Sequence, residues 1–513
     1  MKKRSVVSLL LAVSILFISC SRTEKLDERQ SAAPIVRGGT MKVVASLSPQ
    51  VLGYPPEMGP QDKTFTYPAL ETLMSFTEKR ALKPFLCSKV DIDPAAPSIT
   101  FFLRKRILFH DGSELTADVA RWMFQLLIDT RNLQYGENIK SIDLLDNYTF
   151  RLNLAKYNNQ MIYSYGLVNM VSKNAIVKNG KDWAKVNCVG TGPFRLVEFK
   201  RDEHVNWARF DGYWRKDAGL PYLDAIEVRF IPDPVTAASI MEAGQADLWM
   251  APGAQYQKKL VDRGLRRQIG YAGLSMWMMP NYLRSDGKWK NKQLREALEY
   301  AIDKAAITKA FGYGYTIPLN LISPPGEWGY DPKLSREYNP DRARALIAQA
   351  GFRTPVKVKI LVDNNGRNTG SAIKGYLDAA GFQCELDVAD SGRYFNSAYT
   401  SGWEDLLFAA SGIDPNYLIT ISDWFSPQSR VKMPSWVRPP LFSDLWQQAL
   451  LKNSDKEQED LTAQMVKYLY DEALICPVYL LPNAGVMQSY VHTNYLLQGL
   501  LMWNIGEDWI DKR

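Results

Sequence analysis

Side chains able to do catalytic chemistry are few in this sequence and poorly spaced for it. The three histidines, His110, His204 and His492, lie far apart, so no His-Glu-x-x-His helix forms and general bases are scarce. Five cysteines are scattered with no Cys-x-x-Cys among them, which argues against the common zinc and thiol-redox patterns. No Gly-x-Ser-x-Gly elbow, phosphate loop or dinucleotide Gly-x-Gly-x-x-Gly occurs. Carboxylate pairs such as Asp91/Asp93, Glu242/Asp247 and Glu404/Asp405 are present; acids so close in sequence are expected to be solvated rather than to face each other across a glycosidic bond. His110 falls in a Phe-His-Asp-Gly turn, where local hydrogen bonds are expected to hold it. The expectation is a protein that is not an enzyme and needs no cofactor and no metal.

What remains is binding chemistry. The chain has 14 Trp and 26 Tyr, and such rings serve both cores and ligand clefts. At 513 residues, 46% hydrophobic and 23% charged, it is globular and long enough for two or more packed lobes. Its net charge of +7 comes from 62 basic and 55 acidic residues with no basic run. Nucleic acid is therefore not an expected partner.

The N-terminus indicates the compartment. Lys2, Lys3 and Arg4 precede an apolar stretch from Ser5 to Ile18 that breaks at Ser19-Cys20-Ser21, the layout of a secretory leader and too short for a confident membrane span. Leu16-Phe17-Ile18-Ser19-Cys20 resembles a bacterial lipoprotein box, although Phe17 and Ile18 stand where that pattern prefers smaller residues. The resemblance implies that 1–19 is removed and that Cys20 is lipidated. Several acyl chains, each buried CH₂ contributing about 0.8 kcal/mol, would tether the protein to the membrane. Residues 20–38 are polar and aperiodic, as a flexible linker should be. Cys87, Cys188, Cys384 and Cys476 could form one or two disulfides in an oxidising compartment, and four buried free thiols are the favoured expectation.

Elements that could position a binding site alternate along the chain. Strands are expected at 40–46, 99–103, 194–199, 222–231, 270–279, 356–362, 383–388 and 476–481, with a hairpin over 143–154. Helices are expected at 67–76, from Thr116 as N-cap, and at 234–243, 294–310, 341–350, 369–380 and 460–473. The alternation gives an α/β fold class.

One stretch, Thr100-Phe-Phe-Leu-Arg-Lys-Arg-Ile-Leu-Phe-His-Asp-Gly-Ser-Glu-Leu-Thr-Ala-Asp-Val119, closely resembles the signature of the peptide/nickel-type extracellular solute-binding proteins, family 5. Gly190-Thr-Gly-Pro-Phe194, Phe210-Asp-Gly-Tyr-Trp214, Gly244-Gln-Ala-Asp247, Leu294-Arg-Glu-Ala-Leu-Glu-Tyr-Ala-Ile-Asp-Lys304 and Tyr338-Asn-Pro-Asp341 follow in that family's order. The resemblance implies the large two-lobed periplasmic-binding fold, with the hinge crossed twice and an extra subdomain in the first lobe. It places lobe I over 39–274 (inserted subdomain about 61–187), lobe II over 275–482, and a return to lobe I over 483–513. The hinge crossings would fall near 275–281 and 477–482.

Peptide-binding members of that family carry an aspartate three residues before an Asp-Pro, where it accepts the ligand's ammonium. Here Ser411 holds that position before Asp414-Pro415. Dipeptide binders also carry an arginine near the strand that ends at Val362, and 358–363 has none. Both charge anchors are missing, which points to a neutral or differently charged ligand such as an oligosaccharide, held by ring faces and amides. Trp277, Trp403, Tyr417 and Trp424 are the expected rings, and Asn281, Ser411 and Asp414 the expected polar contacts. The implied role is a lipid-anchored, exported, monomeric solute-binding protein of an ABC importer. It would take a peptide or oligosaccharide and serve a permease and its ATPases at the periplasmic or outer face of the cell membrane. A secreted hydrolase and a signalling receptor are the alternatives.

Overall fold

The computed structural model describes residues 34–77, 80–429, 433–495 and 503–511; the expected leader, 1–19, and Cys20 lie outside them. Its spine is an eleven-stranded sheet. In chain order the strands are β1 (Thr40–Ala45), β2 (Phe194–Lys200), β3 (His204–Arg209), β4 (Ala225–Phe230), β5 (Leu248–Met250), β6 (Arg266–Pro280), β7 (Ile317–Pro318), β8 (Val356–Asp363), β9 (Phe382–Ala389), β10 (Leu406–Gly412) and β11 (Cys476–Met487). Across the sheet they run β2-β3-β4-β1-β5-β11-β6-β10-β8-β9, with β7 added on β11.

The two long strands, β6 and β11, hold the halves together. Arg266–Ile269 of β6 pairs antiparallel with Met487–Ala484 of β11, the register then breaks, and pairing resumes from Gly273 opposite Pro482. On one side of the break β11 also pairs with β5; on the other β6 pairs with β10. Apolar burial divides at the same place. One continuous core draws on residues from Met41 to Met250 and from Met487 to Ile510. Two others, around Trp277 and Phe425 and around Met278 and Ile360, draw only on residues between Trp277 and Leu480. No side chain of the first core belongs to the others, so each half buries its own apolar surface, as the two-lobed fold requires.

In the second half, β8 pairs parallel with both β9 and β10, and the helix Arg367–Ala379 makes the crossover between β8 and β9. Parallel strands covered on both faces read as apolar runs, and β8 carries Val356, Val358, Ile360, Leu361 and Val362 inside. The first half adds a four-stranded antiparallel sheet of Cys87–Asp93, Ser98–Leu103, Thr149–Leu154 and Ile139–Asp146. Phe101 and Phe150 stack at 5.2 Å on its inner face beneath the helix Ala117–Asp129, which the Thr116 side chain caps by accepting from the Val119 amide.

The family-like turns meet here. His110 Nε2 lies 3.0 Å from the Gly192 carbonyl and its Nδ1 accepts from the Gly190 amide at 3.4 Å, while burial lowers its pKa to about 4. It is a neutral structural group. A Cβ on Gly190 would lie 1.9 Å from the Ala69 carbonyl oxygen, so only glycine permits that approach.

Two expected elements differ. The segment 67–76 is not a helix: the helix there is Pro60–Thr66, and Met74–Phe76 is a strand paired with Leu82–Pro84. Ala69 to Phe76 is buried on every face, polar Glu71, Thr72 and Ser75 included, so apolar spacing carried no information about period. The single helix expected over 294–310 is two, Lys292–Tyr300 and Lys304–Gly312. Asp303 breaks it by leaving helical geometry and accepting from the Ala306 amide as a new N-cap. The four cysteines after Cys20 are free and buried.

Candidate functional site

Between the halves lies a cleft of about 600 Å³, within the range of small-molecule sites. Arg80, Ile92, Tyr157, Asn159, Ile162 and Tyr163 wall it from the first half. Glu327, Trp328, Asn416, Tyr417, Asn453, Asp455 and Gln458 wall it from the second.

Helix ends supply most of its polar groups. Asn158 opens the short helix Met161–Gly166 by accepting from the Gln160 and Met161 amides, which leaves Asn159 and Gln160 projecting across the cleft. The Asn159 amide nitrogen donates to the Leu450 carbonyl at 3.0 Å, and its Nδ2 donates to the carbonyls of Ala449 and Lys452 at 2.7 and 2.8 Å. It thereby satisfies the C-terminal carbonyls of the opposing helix Pro440–Leu450, groups that a helix end otherwise leaves orphaned. Its Oδ1 is buried and meets no donor. Gln160 Nε2 donates to the Leu418 carbonyl and to Ser422 Oγ at 3.1 and 2.5 Å, and Gln160 Oε1 accepts from Tyr135.

From the other side, Asn416 caps the helix Tyr417–Phe425 by accepting from the Leu418 amide. That cap leaves its Nδ2 to donate to Tyr163 Oη at 3.1 Å. The only ion pair between the cleft walls among the described residues is Arg80 Nη1 to Glu327 Oε1 at 2.5 Å. Burial pushes the Glu327 carboxyl up, and Arg80 opposes that shift. Tyr157, Tyr163 and Trp328 supply ring surface and the side-chain amides supply donors and acceptors, a combination suited to a polar solute with apolar faces.

Of the residues expected from sequence, only Tyr417 lines this cleft. Its ring is buried and its hydroxyl donates to the Ile322 carbonyl at 2.6 Å. Trp277 and Trp424 meet edge to face at 6.0 Å on the adjoining core, Trp277 fully buried and Trp424 half-buried. Ser411 lies directly opposite Ser275 in the β6–β10 register, on the same side as Trp277. Both serines are buried; Ser411 Oγ donates to the Gly412 carbonyl at 2.9 Å, and Ser275 Oγ has no partner. Asp414 is half-buried and bonds Thr420 at the start of the next helix. Trp403 and Asn281 stand at the far end of β6. There Trp403 Nε1 donates to the Met279 carbonyl at 3.0 Å, and Asn281 Nδ2 donates to the Trp403 carbonyl at 2.5 Å.

Asn159, Gln160, Tyr163, Arg80 and Glu327 were missed by sequence reasoning. The signal available was Asn158-Asn159-Gln160, three consecutive amides ahead of an apolar run. Among the described residues, no three His, Cys, Asp or Glu gather to hold a metal ion, and no helix is long and apolar enough to cross a membrane.

A family model for bacterial extracellular solute-binding proteins, family 5 Middle, matches residues 81–431. The dipeptide-binding protein of Escherichia coli is 22% identical over 507 residues, covering 89% of this chain and 92% of that protein. Heme-binding protein A of Haemophilus influenzae is 24% identical over 375 residues, covering 67% of this chain and 68% of its own length. In three dimensions the ABC transporter-associated periplasmic binding protein DppA from Helicobacter pylori, solved with the peptide STSA, is similar with a TM-score of 0.78 at 23% identity. The likeness covers 93% of this chain and 99% of that one.

Proposed function

This chain belongs to the bacterial extracellular solute-binding proteins, family 5, and from that premise we propose that it captures its solute in the cleft walled by Asn159, Tyr163, Glu327 and Tyr417. As the solute-binding component of an ABC importer it then presents the closed form to a membrane permease. The carrying observation is that both halves of the molecule wall one cleft. Asn159 spans that cleft, and its buried Oδ1 stands ready to accept from a solute hydroxyl or amine. Such an unsatisfied acceptor costs roughly 1–3 kcal/mol, so a bound donor repays it and favours closure.

The hinge in this reading is the register break of β6 and β11, at 270–272 and around Asn483. Gly273 sits against it, where a Cβ would lie 2.6 Å from the Leu481 carbonyl oxygen. A solute that touches both walls makes some contacts only in the closed form, and that difference is what shifts the population.

The E. coli relative is a dipeptide-binding protein and the H. pylori neighbour holds a peptide, which makes a peptide-type solute one cargo class. An oligosaccharide is the other. The ring-and-amide walls support it, as does the absence of a carboxylate at Ser411, where an ammonium would be captured. Cys20 would carry the lipid that keeps the monomeric protein at the membrane.

A thermal-shift screen of the purified protein against a peptide pool and an oligosaccharide pool tests this reading. Solute at 100 times its Kd stabilises by about 2.7 kcal/mol. Stabilisation by either pool that Asn159→Ala weakens supports the assignment and identifies the cargo class. No shift with either pool, or uptake in cells that is unchanged when the permease is deleted, contradicts it.

A further inference from the structure

A second and larger cavity, of about 920 Å³, lies wholly within the first half of the molecule. Its walls come from the hairpin of Met74–Phe76 and Leu82–Pro84, from Tyr213–Arg215 and from 503–507. None comes from the residues between β6 and β11, although the hairpin that lines it also carries Arg80 and Ala81 of the cleft wall.

Its charges are unevenly matched. Both carboxylates on the wall are engaged within the protein. Glu71 is buried and accepts from Thr191, Tyr213 and Trp214 at 2.8, 2.8 and 2.9 Å, and Glu507 accepts from Arg215 at 2.9 Å. Lys83 and Arg104 also line the cavity, both are exposed, and neither has an ion-pair partner among the described residues. Arg104 Nε donates only to the Phe85 carbonyl, at 2.7 Å, and its guanidinium lies 5.5 Å from the centre of the Trp214 ring. Phe85 meets the same indole edge to face at 5.5 Å, so the two cations stand beside an aromatic wall. Two cations left unpaired among the described residues, on the wall of a ring-lined cavity whose own carboxylates are engaged, select an anion that carries a flat apolar body.

We infer that this cavity is a second binding site, for a small organic anion in which a carboxylate or phosphate monoester is joined to an aromatic body. The anion pairs with Lys83 and Arg104 and the body packs against Phe85 and Trp214. The site does not depend on the cleft assignment above.

Calorimetric titration of the purified protein with indole-3-acetate and with 1-naphthyl phosphate tests the inference, the pair separating a carboxylate preference from a phosphate one. Saturable binding of at least one probe is expected. It should weaken about tenfold, that is by about 1.4 kcal/mol, in Arg104→Gln and in Lys83→Gln, and it should persist in Asn159→Ala. Both substituted cations are exposed, so the variants should melt as the parent does. Arg104→Lys, which restores a charge, should recover part of the affinity. Absence of saturable binding by either probe, equal affinity in the Gln variants, or loss of binding in Asn159→Ala overturns the proposal.

Discussion

Arg80 and Glu327 face each other across the cleft, Nη1 to Oε1 at 2.5 Å, with side chains only 18% and 5% exposed. Arg80 also donates to the Gly326 carbonyl at 3.2 Å. A pair this enclosed gains little over two apolar groups, but removing one member strands the other charge at a cost of about 3–5 kcal/mol. Opening the cleft hydrates the stranded charge, so the cost falls on closure.

Arg80→Ala is therefore expected to weaken solute binding at least about a hundredfold. Arg80→Ala combined with Glu327→Gln should recover most of it, because the double variant leaves no buried charge. A double-mutant cycle by titration calorimetry measures the coupling; equal losses in single and double variants would remove the pair from the account.

Asn159 carries three of the hydrogen bonds that cross the cleft. Asn159→Ala should lower solute affinity about tenfold or more, the loss of the two side-chain bonds at roughly 1 kcal/mol each. Asn159→Asp should be worse, since a carboxylate cannot donate to the Ala449 and Lys452 carbonyls and would face them with negative charge. Hydrogen exchange should quicken at the end of the helix Pro440–Leu450 in both.

Burial raises the Glu71 carboxyl from 4.5 to about 7, against the pull of its three donors. A carboxyl with a raised folded pKa keeps its proton in the native state while the unfolded chain loses it. Stability from this group is thus complete below pH 4.5 and declines as pH rises towards 7, by on the order of 3 kcal/mol in total. Asp508, raised from 3.8 to about 7 by burial, acts with the same sign. His110, lowered to about 4, acts oppositely between there and 6.5. Glu71→Gln should gain stability relative to the parent between pH 5 and pH 8. Urea unfolding across that range measures the difference, and a constant offset would contradict it.

Cys87, Cys188, Cys384 and Cys476 are free, and burial pushes each thiol up. They should react with a thiol reagent only as the protein unfolds. Mass spectrometry under native and denaturing labelling checks this; rapid labelling of the native fold would contradict it.

The alternation of strands and helices was legible because most elements are amphipathic and carry caps, as Thr116 and Asp233, which accepts from the Thr236 amide, show. It failed at 67–76, where both faces are buried, and at Asp303, a cap set inside an apolar period. The cleft was harder to read. Tyr417 was reachable through the Asp-Pro motif beside it, whereas Asn159 matters because a loop of the first half meets the end of a helix nearly three hundred residues later. Sequence periodicity does not encode that meeting. Trp277 and Trp403 attract notice by type, yet a tryptophan ring is as useful to the core as to a ligand, and both are enclosed.

Small-angle scattering of the purified protein, with and without the solute found by the thermal-shift screen, tests the central claim most directly. Closure of two lobes around a solute predicts a smaller radius of gyration at saturation, and a larger one in Arg80→Ala at the same solute concentration. A solute that binds tightly while leaving the radius unchanged in both proteins would contradict capture by closure.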